Sequence, residues 1–195
     1  MSDPLYYYAL QTEARSRVQQ SLNANILRRP GAVHHFDKLT LCSIQSPDME
    51  GALTFADEVW PQHYGDSGWT GFGVSWHKIV KPRMAAPDAF DLAIWQEIEG
   101  EQVLAALAFG EPSHARTHLT LKWLERFMGY THVAGRVTPI VLACAEEYAK
   151  LLGSDRVLIK DALVPKLYER YGYRTYRHPY VAHGGDYMSK ELTNG

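Results

Sequence analysis

An unbroken apolar run at residues 103–109, Val-Leu-Ala-Ala-Leu-Ala-Phe, constrains the fold of this chain more than any other segment. A strand with one face in water alternates polar and apolar residues, so a continuous run indicates a strand covered on both faces. Strand patterns at 92–98 and 117–126 flank it, with turn signals at 99–101 and 110–112. We therefore predict three antiparallel strands, the middle one central, with helices above and below the sheet.

Helical and strand patterns on both sides of this meander predict the rest of the fold. Four apolar residues recur at four-residue spacing with polar residues between them, which predicts an amphipathic helix over 5–27. The apolar residues are Leu10, Ala14, Val18 and Leu22, and the polar ones are Glu13, Arg15, Arg17 and Gln19. We expect residues 1–31 to be an appended element that packs on the main body or on a second subunit, as in a homodimer. The other predicted elements are a strand at 38–44, helices at 49–60 and 140–152, a strand at 156–160, a helix at 164–171, and strands at 173–177 and 186–190.

The composition bounds the class of protein. At 195 residues and 46% apolar content, the chain can bury one substantial core, so a single domain over 1–195 is predicted. Twenty basic against 22 acidic residues leave a net charge of -2, which gives no general attraction for nucleic acid or anionic membranes. The chain shows no apolar window of membrane-spanning length and no secretion signal at its start, and its two cysteines lack metal-ligand spacing. These features predict a soluble cytoplasmic protein.

A tyrosine-rich segment near the end of the chain carries the first functional signal. Leu167-Tyr168-Glu169-Arg170-Tyr171-Gly172-Tyr173 predicts a short helix ended by Gly172 and a strand that opens on Tyr173. Tyr168 would then lie on the final turns of the helix and face a sheet, where a tyrosine can protonate a departing thiolate. An amphipathic helix packed by aromatic residues gives the same pattern, so packing is the alternative.

The order of elements and several collinear motifs resemble the GNAT acyltransferase superfamily between residues 91 and 192. The motifs are this tyrosine-containing helix, the run Ala145-Glu146-Glu147-Tyr148-Ala149-Lys150-Leu151-Leu152-Gly153, Asp161 where the family often has asparagine, and the closing strand Met188-Ser189-Lys190. The resemblance implies an α/β (α+β) fold, with a mixed, mostly antiparallel central sheet of about seven strands flanked by helices and an extra N-terminal helix. It also implies an N-acetyltransferase that uses acetyl-CoA as co-substrate and acylates an amine of a small molecule or protein by direct transfer.

The loop before the long helix departs from the family's pyrophosphate pattern of Arg or Gln, two residues, Gly, one residue, then Gly or Ala. This chain has His132-Val133-Ala134-Gly135-Arg136-Val137-Thr138, with only one glycine. The chemistry requires backbone N–H groups at a helix N-terminus, aimed at a diphosphate with no side chain in the way. Gly135 permits the close approach, while Arg136 adds a charge and Thr138 a hydroxyl; with Val137 they form the predicted cofactor site. The alternative is an ordinary loop with Thr138 as the helix cap.

The resemblance implies further site residues. The backbone of Trp123 and Leu124 would pair with the pantetheine arm as an added strand does. Asp161 would lie at the cofactor, and Tyr168 would be the general acid for the thiolate.

Glu125 is the candidate general base. An alkylamine, with a pKa of about 10.4, must lose a proton before it attacks a thioester. Glu125 ends the strand predicted at 117–126 and, by strict alternation, shares a face with Trp123 and Leu121. The alternative is a solvated carboxylate beside Arg126.

Residues 63–76 hold four glycines among aromatic residues, which is too much glycine for regular structure and too many aromatics for a solvated linker. We predict a folded loop that covers something. Tyr64, Trp69 and Trp76, with Trp60, would form an aromatic wall for substrate, either an apolar or aromatic amine or a nucleic-acid base. A satellite core under the loop is the alternative. No acidic cluster identifies the acceptor. No metal is predicted, since the histidines have no cysteine partners and no carboxylate at ligand spacing.

Two other functions compete with acetyl transfer. A degenerate relative could bind acyl-CoA, or nothing, and act as an interaction module through its N-terminal helix, which the incomplete glycine loop favours. A nucleic-acid-modifying relative could meet a phosphate backbone through a basic group near the end of the chain, although the net charge disfavours nucleic acid. That group is Arg170, Arg174, Arg177 and His178.

Overall fold

The computed structural model describes residues 3–27, 38–49, 51–65, 68–83, 85–177 and 186–193. The strands in these ranges are Leu39–Cys42 (β1), Phe90–Ile98 (β2), Glu101–Pro112 (β3), His118–Arg126 (β4), Arg156–Lys160 (β5), Arg174–Tyr176 (β6) and Tyr187–Glu191 (β7). They form one sheet in the order β1-β2-β3-β4-β5-β7-β6. Only the β4–β5 pair is parallel among these strands, so the predicted mixed, mostly antiparallel sheet is confirmed.

Helices lie on both sides of this sheet. They are Pro4–Leu27 (α1), Ala52–Glu58 (α2), Trp76–Val80 (α3), Val137–Leu151 (α4) and Pro165–Glu169 (α5), with short 3-10 turns at Pro47–Met49, Trp60–His63 and Lys81–Arg83. The helix predicted over 49–60 is shorter than expected. Gly51 adopts a left-handed conformation with φ 86°, which separates the first 3-10 turn from α2.

α1 and α4 cover one face of the sheet and enclose a mainly aliphatic core. Ala14 and Val18 of α1 are buried in it, and Leu10 and Leu22 pack against it, so the predicted apolar stripe is confirmed. Residues 28–31, the end of the predicted appended element, lie outside the described residues. The long helix that the pattern at 140–152 predicted is α4.

Arg15 corrects the predicted polar face of α1. Its side chain is buried rather than solvated, because Asp91 at the start of β2 supplies a carboxylate beneath the helix. Arg15 Nη1 donates to the Asp91 backbone oxygen at 3.1 Å and lies 3.4 Å from Asp91 Oδ1. An arginine can be buried at a helix–sheet contact when a carboxylate offsets its charge.

The opposite face carries a second core under α2 and α3, which is richer in aromatic residues than the first and is called the aromatic core below. Trp60 and Trp76 are fully buried in this core, as the satellite-core alternative expected. The Trp60 indole also donates to the backbone oxygen of Leu104, which ties the 3-10 turn at Trp60–His63 to β3. The two faces of one sheet therefore differ in chemistry.

A β-bulge in the β3–β4 pairing corrects the expected alternation of β4. Phe109 pairs with Trp123, but the next residue, Gly110, pairs with Leu121, which leaves Lys122 as an extra residue. A Cβ on Gly110 would lie 2.5 Å from the backbone oxygen of Thr120, so only glycine permits this close pairing. The bulge reverses the faces that follow it. Leu121 belongs to the aliphatic core, whereas Trp123 packs against the aromatic one.

β4 and β5 separate after a short parallel stretch. His118 to Leu121 pair with Arg156 to Ile159, and beyond them β4 continues to Arg126 without a partner on β5. β5 ends at Lys160, and Asp161 adopts a left-handed conformation with φ 50°. Its amide donates to the Asp186 backbone oxygen at 2.7 Å, which directs the chain away from β4. The two strands are therefore unpaired beyond Leu121 and Ile159, and this unpaired region is called the gap below.

Candidate functional site

The N-terminus of α4 lies at the open end of this gap. α4 connects the end of β4 to the start of the parallel β5, so it must run back across the sheet and begin where the two strands separate. Arg136 precedes the helix, and no side chain of the described residues caps it. The alternative that placed Thr138 as the cap is therefore wrong.

Backbone amides at this helix terminus remain available. The Arg136 amide donates to the Val133 backbone oxygen at 2.8 Å, which closes a tight turn. Gly135 in that turn has φ 78°, and no atom lies within 4 Å of where its Cβ would be. Within the described residues, the amides of Gly135, Val137 and Thr138 have no hydrogen-bond acceptor. An open turn with unpaired N–H groups at the positive end of a 15-residue helix is suited to an anion such as a diphosphate.

Tyr168 lies near the end of α5, the helix that follows the turn at Asp161. Its ring packs against the aliphatic core, 6.4 Å from the Tyr173 ring in an edge-on arrangement. Burial raises the pKa of Tyr168 above its ordinary value of 10.0. The phenol therefore keeps its proton at neutral pH and is a hydrogen-bond donor.

Three aromatic side chains converge on the Glu125 carboxylate. Tyr64 Oη and Trp69 Nε1 each donate to Glu125 Oε1 at 2.7 Å, and Trp76 Nε1 donates to Oε2 at 2.7 Å. Glu125 is only 4% exposed, so the alternative of a solvated carboxylate beside Arg126 is wrong. The loop predicted to cover something covers this carboxylate.

The bulge in β4 determines where the Glu125 side chain lies. Because Lys122 is an extra residue, Glu125 shares the aromatic face with Trp123 and not the aliphatic face with Leu121. Leu124, between them, packs against the aliphatic core. The part of the alternation argument that joined Glu125 to Leu121 is therefore wrong.

Among the described residues, no cation matches the charge of Glu125. No Lys, Arg or His side chain in the described ranges forms an ion pair with it, and its three donors are neutral. Three hydrogen bonds leave about one acceptor position of the carboxylate unused. Burial and the Glu125 hydrogen bond and charge raise the pKa of Tyr64. A buried anion of this kind favours a cationic or hydrogen-bonding ligand.

Phe72 completes the aromatic wall, although no local pattern singles it out among the aromatic residues of its segment. Its ring lies edge-on to three others, with centroids 5.4 Å from Trp69, 6.1 Å from Trp76 and 5.0 Å from Trp123. Gly71 beside it has φ 75°, and a Cβ there would lie 3.1 Å from the Tyr64 ring. The glycine thus lets Tyr64 pack closely enough to reach Glu125.

Asp57 was also missed as a supporting residue. Its carboxylate accepts hydrogen bonds from the Trp76 amide at 2.6 Å and the His77 amide at 3.2 Å, and it lies 2.7 Å from His77 Nδ1. It therefore fixes the start of α3, from which the Trp76 indole reaches Glu125. Nothing in its local sequence distinguishes it from a solvated helix residue.

The structure brings some predicted site residues together and leaves others apart. Tyr64, Trp69, Trp76 and Glu125 form one hydrogen-bonded cluster, and Trp123 packs against Phe72 beside it. Gly135, Arg136, Val137 and Thr138 lie at the α4 terminus, and Asp161 lies at the turn that ends β5. Trp76 is buried in the aromatic core, so its link to the cluster is through its indole N–H.

The basic group proposed for nucleic acid is only partly described. Arg174 donates to the backbone oxygens of Glu169 at 3.2 Å and Tyr173 at 2.9 Å, which ties α5 to β6. His178 lies outside the described residues. In the described part of the chain, no group of three or more His, Cys, Asp or Glu side chains is placed to hold a metal ion. No helix there has both the length and the apolarity to cross a bilayer.

Comparison with known proteins gives a likeness of structure and not of sequence. No family model matches the chain, and no curated protein matches it. An aminoglycoside 6'-acetyltransferase type Ii superposes on 80% of this chain and 98% of its own, with a TM-score of 0.53 at 18% identity. The aminoglycoside 6'-N-acetyltransferase from Enterococcus faecium covers the same shares, with a TM-score of 0.53 at 13% identity. The ribosomal-protein-S18-alanine N-acetyltransferase from Escherichia coli matches 80% of this chain and 96% of its own, with a TM-score of 0.50 at 15% identity.

Proposed function

From the GNAT N-acetyltransferase fold that this chain has, we propose that it transfers an acetyl group from acetyl-CoA to an amine by direct attack. The observation that carries the proposal is the gap between β4 and β5, with the uncapped N-terminus of α4 at its open end. An extended thioester arm fits beside an unpaired strand edge, and its diphosphate fits at a helix terminus. The two features occur together here, at one end of the sheet.

The donor would bind along β4. Trp123 and Leu124 lie in the part of β4 that has no β5 partner, and the backbone of this segment would pair with the amides of the pantetheine arm. The diphosphate would accept hydrogen bonds from the amides of Gly135 and Val137. Arg136 is exposed beside them and would add a positive charge, and the Thr138 hydroxyl a further donor.

The reaction would proceed without a covalent enzyme intermediate. The acceptor nitrogen attacks the thioester carbonyl, the C–N bond forms and the C–S bond breaks. The departing thiolate takes the proton of the Tyr168 phenol, which burial keeps protonated at neutral pH. The proton lost by the amine passes to Glu125, directly or through water, at the acceptor position that Tyr64, Trp69 and Trp76 leave unused.

The acceptor would be a small-molecule or protein amine that arrives as an ammonium ion. Glu125 is a buried anion with no cation beside it in the described part of the chain, and an ammonium group would offset its charge. The half-buried rings of Trp69 and Phe72 provide aromatic surface beside it, which also attracts cations. The aromatic wall and the carboxylate would thus recognise the same group.

Two measurements test the proposal. Isothermal titration calorimetry with acetyl-CoA should show saturable binding, and thiol release with a panel of amines should show turnover. The matched variants are Gly135→Ala and Gly153→Ala. Both glycines have nearly the same φ, 78° and 77°, and both have open space at the Cβ position, but Gly153 follows the other end of α4.

We expect Gly135→Ala to lower the affinity for acetyl-CoA by about 10-fold, since one strong hydrogen bond to a charged group is weakened. Gly153→Ala should leave that affinity unchanged, although both variants carry the same backbone strain. Binding without turnover for any amine would indicate an acyl-CoA-binding module. No binding at all would overturn the proposal.

A further inference from the structure

A cavity of about 410 Å³ lies between α1, the chain after β1, and the segment that leads into β2. No residue of β4, α4 or α5 lines it, so it is separate from the gap described above. β1 pairs with β2 only as far as Cys42 and Ala93, and the cavity lies beyond that point, where Asp91 has no β1 partner. Its volume is in the range of small-ligand sites.

Arg15 lines this cavity, and one edge of its guanidinium group makes no hydrogen bond to the described residues. The residue is 6% exposed, and both of its hydrogen bonds to Asp91 are made by Nη1. In the described part of the chain, its Nε and Nη2 atoms donate to no acceptor. Both atoms also reach solvent. In the described residues, the polar side-chain atoms that are both shut off from solvent and without a hydrogen-bond partner are Trp95 Nε1 and Arg116 Nε, and neither belongs to Arg15. Arg15 lines this cavity and also a second one between α1 and β1, and its Nε–Nη2 edge has no acceptor among the described residues.

The carboxylate partner of Arg15 does not use that edge. Asp91 Oδ2 accepts hydrogen bonds from Ser43 Oγ at 2.5 Å and the Ile44 amide at 2.8 Å, while Oδ1 faces Arg15 Nη1. Each of its oxygens has a partner, its position is fixed by three groups, and its contact with Arg15 is made through Nη1 alone. The second edge of the guanidinium therefore needs an acceptor from outside the described protein groups.

The free edge of Arg15 is the main charged donor that the lining offers. The second arginine, Arg83, is already bound to Glu111 Oε1 through Nε at 2.5 Å and to the Ile79 backbone oxygen through Nη1 at 3.1 Å. Gln45 and Ser46 add polar groups, while Leu41, Val80 and Phe109 add apolar surface. A guanidinium fork matches the two oxygens of a carboxylate or phosphate, and the apolar part of the lining suits a short organic body.

We propose that this cavity binds a small organic anion, whose carboxylate or phosphate head pairs with the Nε–Nη2 edge of Arg15 and whose apolar body lies against Leu41, Val80 and Phe109. The site would be independent of acetyl-CoA. Because α1 forms one wall of the cavity, an anion bound there would also stabilise the packing of α1 on the sheet.

The test is calorimetric titration of the full chain, without acetyl-CoA, at constant ionic strength. The probes are n-butyrate, n-butyl phosphate and n-butanol, which share one apolar tail. We expect at least one of the two anions to bind and n-butanol not to bind, and the stronger anion identifies the head group. Equal binding of n-butanol, or no binding of either anion, would overturn the proposal.

Three variants locate the site. Arg15→Lys keeps the charge beside Asp91 but loses the fork, and should lower anion affinity by at least 10-fold, as expected for about one lost charge-assisted hydrogen bond. Arg17→Lys is the matched control, because Arg17 is exposed on the same helix and pairs with Glu13 and Glu147 outside the cavity. It should leave the affinity unchanged.

Thr12→Trp covers the case in which Arg15→Lys does not fold. Thr12 is exposed on α1 and lines the cavity, so a tryptophan there would obstruct it without changing Arg15. We expect this variant to lose anion binding and keep its thermal stability. Unchanged binding in Thr12→Trp, or in a folded Arg15→Lys, would show that the anion binds elsewhere.

Discussion

Asp91 and Glu125 are both buried carboxylates on the same sheet, yet their surroundings differ in one respect. Asp91 accepts two hydrogen bonds from the chain after β1 and lies beside the guanidinium of Arg15. Glu125 accepts three hydrogen bonds from a phenol and two indoles, and no cation of the described residues lies beside it. One charge is offset within the protein, and the other is only solvated by neutral donors.

This difference distinguishes a carboxylate that stabilises the fold from a candidate catalytic one. Burying a charge is costly unless an opposite charge or several hydrogen bonds compensate for it. At Asp91 the compensation is complete and joins α1, the end of β1 and β2. At Glu125 the hydrogen bonds hold the side chain in place but leave its negative charge available to a ligand.

The largest expected effect is on turnover when Glu125 is changed. Glu125→Gln keeps the size of the side chain but removes the group that takes the amine's proton. If thiol release is established for the wild type, kcat/KM should fall by about 10²–10⁴-fold, the usual contribution of a general base. Thiol release with the best amine measures it. A variant that binds acetyl-CoA normally and turns over at the wild-type rate would contradict the assignment.

The next largest effect is on stability and is expected when Asp91 is changed. Asp91→Asn leaves Arg15 buried without its counter-charge and should lower the free energy of unfolding by about 3 kcal/mol. Urea denaturation followed by circular dichroism measures it. kcat of the folded variant should be unchanged, because Asp91 lies outside the gap and the aromatic cluster. If Asp91→Asn lost turnover and kept stability, the distinction between the two carboxylates would be reversed.

A smaller effect tests the neutral donors around Glu125. Trp69→Phe removes the indole N–H from Oε1 and should lower the free energy of unfolding by about 2 kcal/mol, because hydrogen bonds to charged groups are the stronger ones. Trp60→Phe is the control, since that indole donates to the uncharged Leu104 oxygen, and about 1 kcal/mol is expected. In the Glu125→Gln background, the effect of Trp69→Phe should shrink while that of Trp60→Phe should not.

The smallest effect is on the titration of Tyr64. Burial, and then the hydrogen bond and charge of Glu125, raise the pKa of Tyr64 above its ordinary value of 10.0. Glu125→Gln should lower that pKa toward 10 without restoring it fully, because burial persists. The ultraviolet absorbance of the phenolate, measured as the difference between each protein and its Tyr64→Phe counterpart, reports the change. Asp91→Asn should leave the pKa of Tyr64 where it is.

The raised pKa of Tyr64 also makes the stability of the protein depend on pH. Because the folded-state pKa of Tyr64 is raised, its contribution is complete below pH 10 and is lost as the pH rises through the folded-state value. Glu125→Gln should lower the pH at which this alkaline loss ends and should make the total loss smaller, each measured relative to Tyr64→Phe. Urea denaturation at a series of pH values above neutral measures this loss of stability.

Most of the fold could be predicted from local sequence patterns. The strand predicted at 156–160 coincides with β5, and the four-residue stripe of α1 faces the core, because periodicity records which side of an element is buried. The glycine-rich and aromatic composition of 63–76 likewise predicted a loop that covers a group. What it covers depends on side chains 49 to 61 residues away in sequence, which no local pattern contains.

The predictions were wrong where contacts between residues distant in sequence determine the position of a side chain. Arg15 was predicted on a solvated face because its buried partner, Asp91, lies 76 residues later. The face of Glu125 was assigned by strict alternation, which fails because β3 and β4 pair across a bulge at Gly110. A carboxylate solvated only by tryptophan and tyrosine also has no sequence signature, since each of the four residues is ordinary in its own segment.

The extra residue in β4 has a consequence for evolution and alignment. Deleting the single codon for Lys122 would remove the bulge and leave Leu121 followed directly by Trp123, so Leu124 and Glu125 would keep the faces they have now. A homologue without the bulge would therefore be one residue shorter in this strand, and an alignment without a gap at that point would displace the carboxylate by one position. Homologues of this chain are therefore best aligned by anchoring the glycine opposite the extra residue first, and only then counting toward the carboxylate.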